Sequence, residues 1–187
     1  MSWREKITDP LVRFCKNHPA IFFFQERVGV RGDIFEIIKF KTFYDEVPAN
    51  HKHHKSESLR AQIRGHYDEA RLNPNRKWMR KIKIDELPQL INLIRGDLQL
   101  VGSRALPVEE FPTFPKDIQE KYKKNKPGLI PGEQQFNWWS KEGRYSSYGL
   151  FLTDLENNRN PRSFKIRSGI RAFINSFSHP ANGGIVF

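Results

Sequence analysis

Cysteine is almost absent from this chain of 187 residues. The single Cys15 excludes an internal disulfide, so a reducing, cytoplasmic setting is expected. Long apolar runs are missing too. The longest, residues 20–24, falls far short of the ~20 residues that a membrane-spanning helix needs. No secretory leader is visible, because residues 1–10 carry charges where its apolar core should stand. Any membrane contact is therefore expected to be peripheral. Methionine is scarce, at two residues against fifteen Phe and four Trp, so the apolar mass is aromatic. Acidic residues are outnumbered, 21 against 32 Lys and Arg, which leaves a formal charge of +11. Such a charge implies a polyanionic neighbour: nucleic acid, an anionic membrane surface or a phosphorylated substrate.

The length suits one domain with its own core, taken here as residues 1–187. Residues 1–19 are weakly patterned, and Pro10 and Pro19 are expected to interrupt any helix. A strand over 21–24, a glycine turn through Gly29 and Gly32, and a return strand over 34–43 make a hairpin. Residues 45–77 read as a long polar surface loop with a short helix near 58–70, and His51, His53 and His54 as solvated loop residues. Leu87, Leu90, Ile91 and Ile94 follow helical spacing, with Asp85 at the N-cap, Pro88 in the first turn and Gly96 at the C-cap. A strand over 97–101 should follow, and then a basic helix over 116–125. The pairs Pro127-Gly128 and Pro131-Gly132 read as turns. Near the C-terminus, Ile166, Ile170, Phe173, Ile174 and Phe177 share one helical face, with Arg162, Lys165, Arg167 and Arg171 on the others. The fold class expected is α/β, mainly helical with short β segments.

The adjacent carboxylates Asp85 and Glu86 lie amid basic residues: Arg80 and Lys81 before them, Arg95 and Arg104 after. Cations should lower the carboxylate pKa and keep Asp85 ionised. With the helix N-terminus, they should also hold a phosphate close by. A carboxylate can attack phosphorus, and a divalent ion such as Mg2+ would screen their mutual repulsion. Taken alone, the pair reads more readily as an N-cap Asp with a first-turn Glu.

Five stretches occur in order: Phe23-Phe24-Gln25-Glu26-Arg27-Val28-Gly29, Lys39-Phe40-Lys41-Thr42, Asp85-Glu86-Leu87-Pro88-Gln89-Leu90-Ile91-Asn92, Gly96-Asp97-Leu98-Gln99-Leu100-Val101-Gly102-Ser103-Arg104 and Lys126-Pro127-Gly128-Leu129. The series resembles the bacterial sugar transferase family, the monotopic phosphoglycosyl transferases, most clearly over residues 19–135. The resemblance implies transfer of a phosphosugar from a nucleotide diphosphate sugar to polyprenol phosphate, with release of a nucleoside monophosphate. It implies that Asp85 is the nucleophile and that Glu86 organises Mg2+ and substrate, with both carboxylates as metal ligands. It implies that Lys39, Arg80 and Arg104 bind substrate, with Arg104 at the donor phosphate or nucleotide.

The departures are specific. The usual apolar re-entrant helix would end just before residue 20, and residues 1–19 are polar and short here. The family's Pro-Arg-Pro stands as Ser103-Arg104-Ala105, and its Lys-Phe-Arg-Thr as Lys39-Phe40-Lys41-Thr42. A lysine at position 41 lacks an arginine's bidentate fork. The expected location is peripheral, at the cytoplasmic face of the bacterial inner membrane, or the cytoplasm. Lipid contact is expected through the basic C-terminal helix and aromatics such as Trp138 and Trp139. Two other readings stand beside this one: a non-catalytic relative that binds nucleotide sugar or a partner enzyme, and a nucleic-acid-binding module. No helix-turn-helix, zinc-finger or RNP-like signature supports the last, so no nucleic acid is expected.

Overall fold

The structure is a computed structural model that describes residues 3–44, 72–136 and 141–178. The His-rich patch, the helix expected near 58–70, and Trp138 and Trp139 lie outside the described residues. Among the described residues helices dominate, with two small sheets, in keeping with the mainly helical α/β class expected.

The hairpin forms from β1 (Phe22–Val28) and β2 (Ile34–Phe40), antiparallel, with Phe23 opposite Lys39. Its connection needs two left-handed residues in a row, Arg31 and Gly32, at φ 62° and 90°. The Gly29 amide closes the turn on the Asp33 carbonyl. Side chains alternate along a strand, so Ile37 and Lys39 share one face while Ile38 is fully buried on the other. Lys39 is thereby aimed from a rigid element.

Residues 1–19 depart from expectation. They form α1 (Trp3–Lys16), a continuous helix with Pro10 inside it. Proline removes one ladder hydrogen bond, but Pro10 and Lys6, whose carbonyl loses that donor, are both exposed, so water can replace it. Thr8 and Cys15 are buried, and the helix packs against α3 below. Trp3, Ile7, Leu11 and Phe14, spaced along one stripe, remain exposed.

After α2 (Lys77–Lys81), the segment with Asp85 and Glu86 is a separate 3-10 turn, Ile84–Glu86, ahead of α3 (Gln89–Arg95). Asp85 is not the N-cap of α3; Pro88 occupies that position and no side chain caps it. The reason is local. Leu87, Leu90 and Ile91 each donate to the carbonyl three residues back, so the chain winds tightly past Pro88, which has no N–H. Gly96 closes α3 in the left-handed conformation (φ 91°), as its position predicts.

Asn92, fully buried on α3, ties this helix to the hairpin. Its Oδ1 accepts from the Ile38 amide (3.1 Å), and its Nδ2 donates to the Glu36 carbonyl (2.7 Å) and to Asp97 Oδ2 (3.0 Å). Asn92→Ala should lower stability by about 2–4 kcal/mol, because it orphans buried backbone groups as well as opening a cavity. The midpoint of a urea melt reads this directly, and an unchanged midpoint would show that the tie carries no load.

Strand β3 (Gln99–Gly102) lies parallel to β4 (Gly128–Pro131). The two Pro-Gly pairs, expected as turns, therefore bracket a strand. Gly128 permits the pairing, since a Cβ there would stand 2.7 Å from the Gly102 Cα. Arg104 bridges to Gly128 just beyond β3. The larger core gathers Phe114, Ile118 and Tyr122, the last two on α4 (Lys116–Lys124), with Tyr148, Phe151, Leu152 and Leu155 of α5 (Lys141–Asn157). Tyr122 Oη donates to the Val28 carbonyl (2.7 Å) and accepts from the Leu106 amide (3.1 Å), joining this core to the hairpin.

The last helix, α6 (Pro161–Ser178), packs by small residues. Ser168, Gly169 and Ala172 are buried, whereas Ile166, Ile170, Phe173 and Ile174 face outward. A Cβ on Gly169 would stand 2.6 Å from a Val101 methyl carbon, so glycine sets how closely α6 approaches β3.

Candidate active site

Three elements bring charge together. Lys39 comes from β2, Glu86 from the 3-10 turn before α3, and Arg104 from the segment after β3. All three line one small cavity, with Arg27, Gln89 and Leu129 among its other walls. Lys39 Nζ donates to Glu86 Oε1 at 3.3 Å, and their side chains are 15% and 18% exposed. Arg80 lies to one side, its Nε donating to the buried Thr42 hydroxyl at 2.7 Å.

The electrostatics separate the two carboxylates. Burial works to raise Glu86, but Lys39, Lys83 and Arg104 overcome it and hold the group at about 2. Glu86 is thus firmly ionised at neutral pH. Burial lowers Lys39 to about 8, with Arg104 and Arg27 adding to the push and Glu86 and Asp85 opposing it. Asp85 runs against expectation. Its carboxyl is raised above the ordinary aspartate range, because burial outweighs the pull of Lys39, Arg80 and Lys83, and Glu86 repels it. Neighbouring cations do act on Asp85, but desolvation wins.

The sequence-predicted residues are therefore only partly united. Glu86, Lys39 and Arg104 share the cavity, whereas Asp85 and Arg80 are not among its lining residues. Asp85 lies on the same turn as Glu86 and is only 7% exposed. Since α3 is only seven residues long and Pro88 is its N-cap, side-chain cations rather than a helix N-terminus supply the positive field.

Arg27 and Glu133 were not singled out as site residues. Arg27 donates to the Ala105 carbonyl (2.7 Å) and to Gln25 Oε1 (2.5 Å), while its buried Nε has no partner. Burial, then the charge of Arg104, lowers it to about 10, which leaves it cationic at neutral pH. Glu133, 2% exposed, accepts the Arg104 amide on both oxygens (3.1 and 3.2 Å). The Arg104 carbonyl in turn accepts from Tyr148 Oη at 3.3 Å. The Arg104 backbone is thus held from both sides while its side chain reaches the cavity. Arg27 stands in the first of the five stretches that carry the family resemblance, where no role was attached to it, and Glu133 gave no signal.

Mg2+ commonly takes one or two carboxylates and completes its shell with water and phosphate oxygens. Among the described residues no group of three or more His, Cys, Asp and Glu side chains could hold a metal ion by itself. The adjacent Asp85 and Glu86, the latter strongly ionised, fit that sparser ligand set.

A family model described as bacterial sugar transferase matches residues 7–158. The chain belongs to the bacterial sugar transferase family. As a sugar transferase relative, it is 36% identical over 126 residues to the "Uncharacterized sugar transferase EpsL" of Bacillus subtilis, covering 65% of this chain and 56% of that protein. It is 30% identical over 130 residues to the "Exopolysaccharide production protein ExoY" of Sinorhizobium fredii, covering 64% and 54%. It is 31% identical over 131 residues to an "Undecaprenyl-phosphate galactose phosphotransferase" of Salmonella typhimurium, covering 67% and 26%. The chain thus spans between about a quarter and just over half of these relatives. The family match includes all five predicted site residues.

Proposed function

We propose that this chain transfers a phosphosugar from a nucleotide diphosphate sugar to polyprenol phosphate, through a covalent intermediate on Asp85, at the start of exopolysaccharide or other glycoconjugate synthesis. The observation that carries the reading is the cavity that joins Lys39, Arg27 and Arg104 to an ionised Glu86, in a chain of this family. Relatives named as undecaprenyl-phosphate glucose or galactose phosphotransferases agree with it.

Both substrates are phosphate anions, so bringing them together in one small site is electrostatically costly. Splitting the transfer avoids the encounter. Arg104 and Lys39 bind the diphosphate, and Asp85 attacks the phosphorus that carries the sugar. The carboxylate oxygen–phosphorus bond forms, and the bond to the nucleoside monophosphate breaks. The departing monophosphate carries the electron pair away under the charge of Arg104 and Arg27. The lipid phosphate then attacks the same phosphorus and releases Asp85 as a carboxylate. Glu86 orients Lys39 throughout. Asp85 and Glu86 would hold Mg2+, which when bound neutralises phosphate charge. The side chain of Asp85 must rotate toward the cavity for this sequence to run.

The membrane contact is peripheral in this reading. No described helix is long and apolar enough to cross a bilayer. The exposed apolar stripes on α1 and α6 suit the interface plane, and Arg162, Arg167 and Arg171 on α6 suit an anionic surface. One observation favours a second reading, a non-catalytic relative that binds the donor: Asp85 is absent from the cavity lining.

One assay separates the two. The protein is incubated with Mg2+, polyprenol phosphate and a panel of nucleotide diphosphate sugars, and nucleoside monophosphate is measured. Release with at least one donor is expected. Donor binding without release from any of them would put the non-catalytic reading in its place.

A further inference from the structure

A second hollow adjoins the charged cavity and shares Glu86, Leu129 and Pro131 with it. Its character is different. Leu87 and Leu90 from the α3 segment, Leu129 and Ile130 from β4, and Phe173 from α6 make its walls largely apolar. The charged residues on its lining are Lys83 and Glu86. Lys83 lies within electrostatic reach of both carboxylates and is held in the left-handed conformation (φ 61°). These shared residues thus join a polar chamber to an apolar groove, and the groove carries its own cation beside the reacting turn.

We infer that this groove is the acceptor subsite: it seats the isoprene units nearest the phosphate of a polyprenyl phosphate, with Lys83 on the phosphate. The inference rests on the proposed transferase reading. Three observations select this occupant. An amphiphile with one anionic end matches a groove with apolar walls and a lysine at the charged turn. A nucleotide would leave its polar edges against leucine and phenylalanine, which is unfavourable. The groove is also continuous with the charged cavity through Glu86, so a phosphate at Lys83 lies next to the carboxylates. Finally, Leu87, Leu90 and Phe173 are half exposed, so the apolar walls run out to the surface, where a long tail can leave the protein.

Helix α6 lies beyond the matched stretch 7–158, yet it supplies Ala172 and Phe173 to the groove. The acceptor subsite is therefore completed by a helix that the family pattern does not cover. Ala172 is buried, and Phe173 beside it is exposed.

The test is equilibrium binding of farnesyl phosphate, soluble as a monomer, to the wild-type chain and to the double variant Leu90→Gln, Phe173→Gln. Both positions are solvent-exposed enough for glutamine to be tolerated. The wild type should bind farnesyl phosphate more tightly than inorganic phosphate. The variant should bind farnesyl phosphate at least about tenfold more weakly, from the loss of two apolar contacts, with its weak binding of inorganic phosphate unmoved. Equal affinity of wild type and variant, or no preference of the wild type for the prenylated phosphate, overturns the groove. Failure here can be told from failure of the transferase reading. Turnover of some donor with an acceptor KM that the double variant does not change removes the groove and leaves the transferase. Tight, variant-sensitive farnesyl phosphate binding without turnover of any donor leaves the groove and removes the transferase.

Discussion

Asp85→Asn should reduce turnover at least about a thousandfold, because an amide cannot act as the attacking nucleophile. Donor binding should largely survive, since Lys39, Arg27 and Arg104 line the donor cavity and Asp85 does not. The fold should survive as well. Burial raises the Asp85 carboxyl, so its charge is a cost to the native state and a neutral isostere removes that cost. The melting temperature should stay level or rise. Glu86→Gln should behave differently. It also cripples turnover, but it removes the largest of the carboxylate charges that offset the burial of Lys39, so the melting temperature should fall. Nucleoside monophosphate release, donor affinity and a thermal melt on the two variants check all three statements. Normal turnover by Asp85→Asn would remove Asp85 as nucleophile.

The second large effect concerns stability against pH. Burial raises Glu133 to about 7, against the opposing bonds from its own and the Arg104 amide, the Arg104 charge and the Tyr148 hydroxyl. Tyr122 on α4 and Tyr148 on α5 also feel the Glu133 charge, and both are pushed upward by burial. An unfolded glutamate ionises near its ordinary value of 4.5, so between there and about 7 the native state binds the extra proton. The contribution of Glu133 to stability therefore falls as pH rises through that window and is level beyond it. Each pKa unit is worth about 1.4 kcal/mol, so the loss through Glu133 totals about 3 kcal/mol.

Glu133→Gln removes the titration and keeps an oxygen for the Arg104 amide. The variant should match the wild type near pH 4 and exceed it by about 3 kcal/mol at pH 8. Urea melts across that range measure the difference. A difference that does not change with pH would show that Glu133 does not titrate in the window.

How much of this was legible in the sequence depends on which forces set each element. The α3 segment was legible because its apolar spacing and Gly96 act locally. The hairpin was legible because Gly29 and Gly32 mark a turn between two apolar runs. Helix α1 was not. Pro10 signals a break, and only tertiary packing through Thr8 and Cys15, with the freed carbonyl on an exposed residue, makes the helix tolerable. Strand β4 was hidden by its flanking Pro-Gly pairs, since its partner β3 lies far back in the chain. At the site, the gathering of Lys39, Glu86 and Arg104 followed from the family resemblance, and the structure places them on one cavity. The direction of the Asp85 pKa was missed because the sequence shows neighbouring cations but not burial. Glu133 was missed for the same reason, a glutamate in a Gly-Glu-Gln-Gln run reading as surface.

The most direct measurement omits the lipid. The protein is incubated with Mg2+ and a donor whose sugar-linked phosphate is labelled, quenched in acid and digested with trypsin. The peptide of residues 84–95, between Lys83 and Arg95, carries both carboxylates and is sequenced by tandem mass spectrometry. A phosphosugar adduct on Asp85, absent from Asp85→Asn, is the predicted result. An adduct on Glu86, or lipid product formed by a protein that never carries the label, would contradict it.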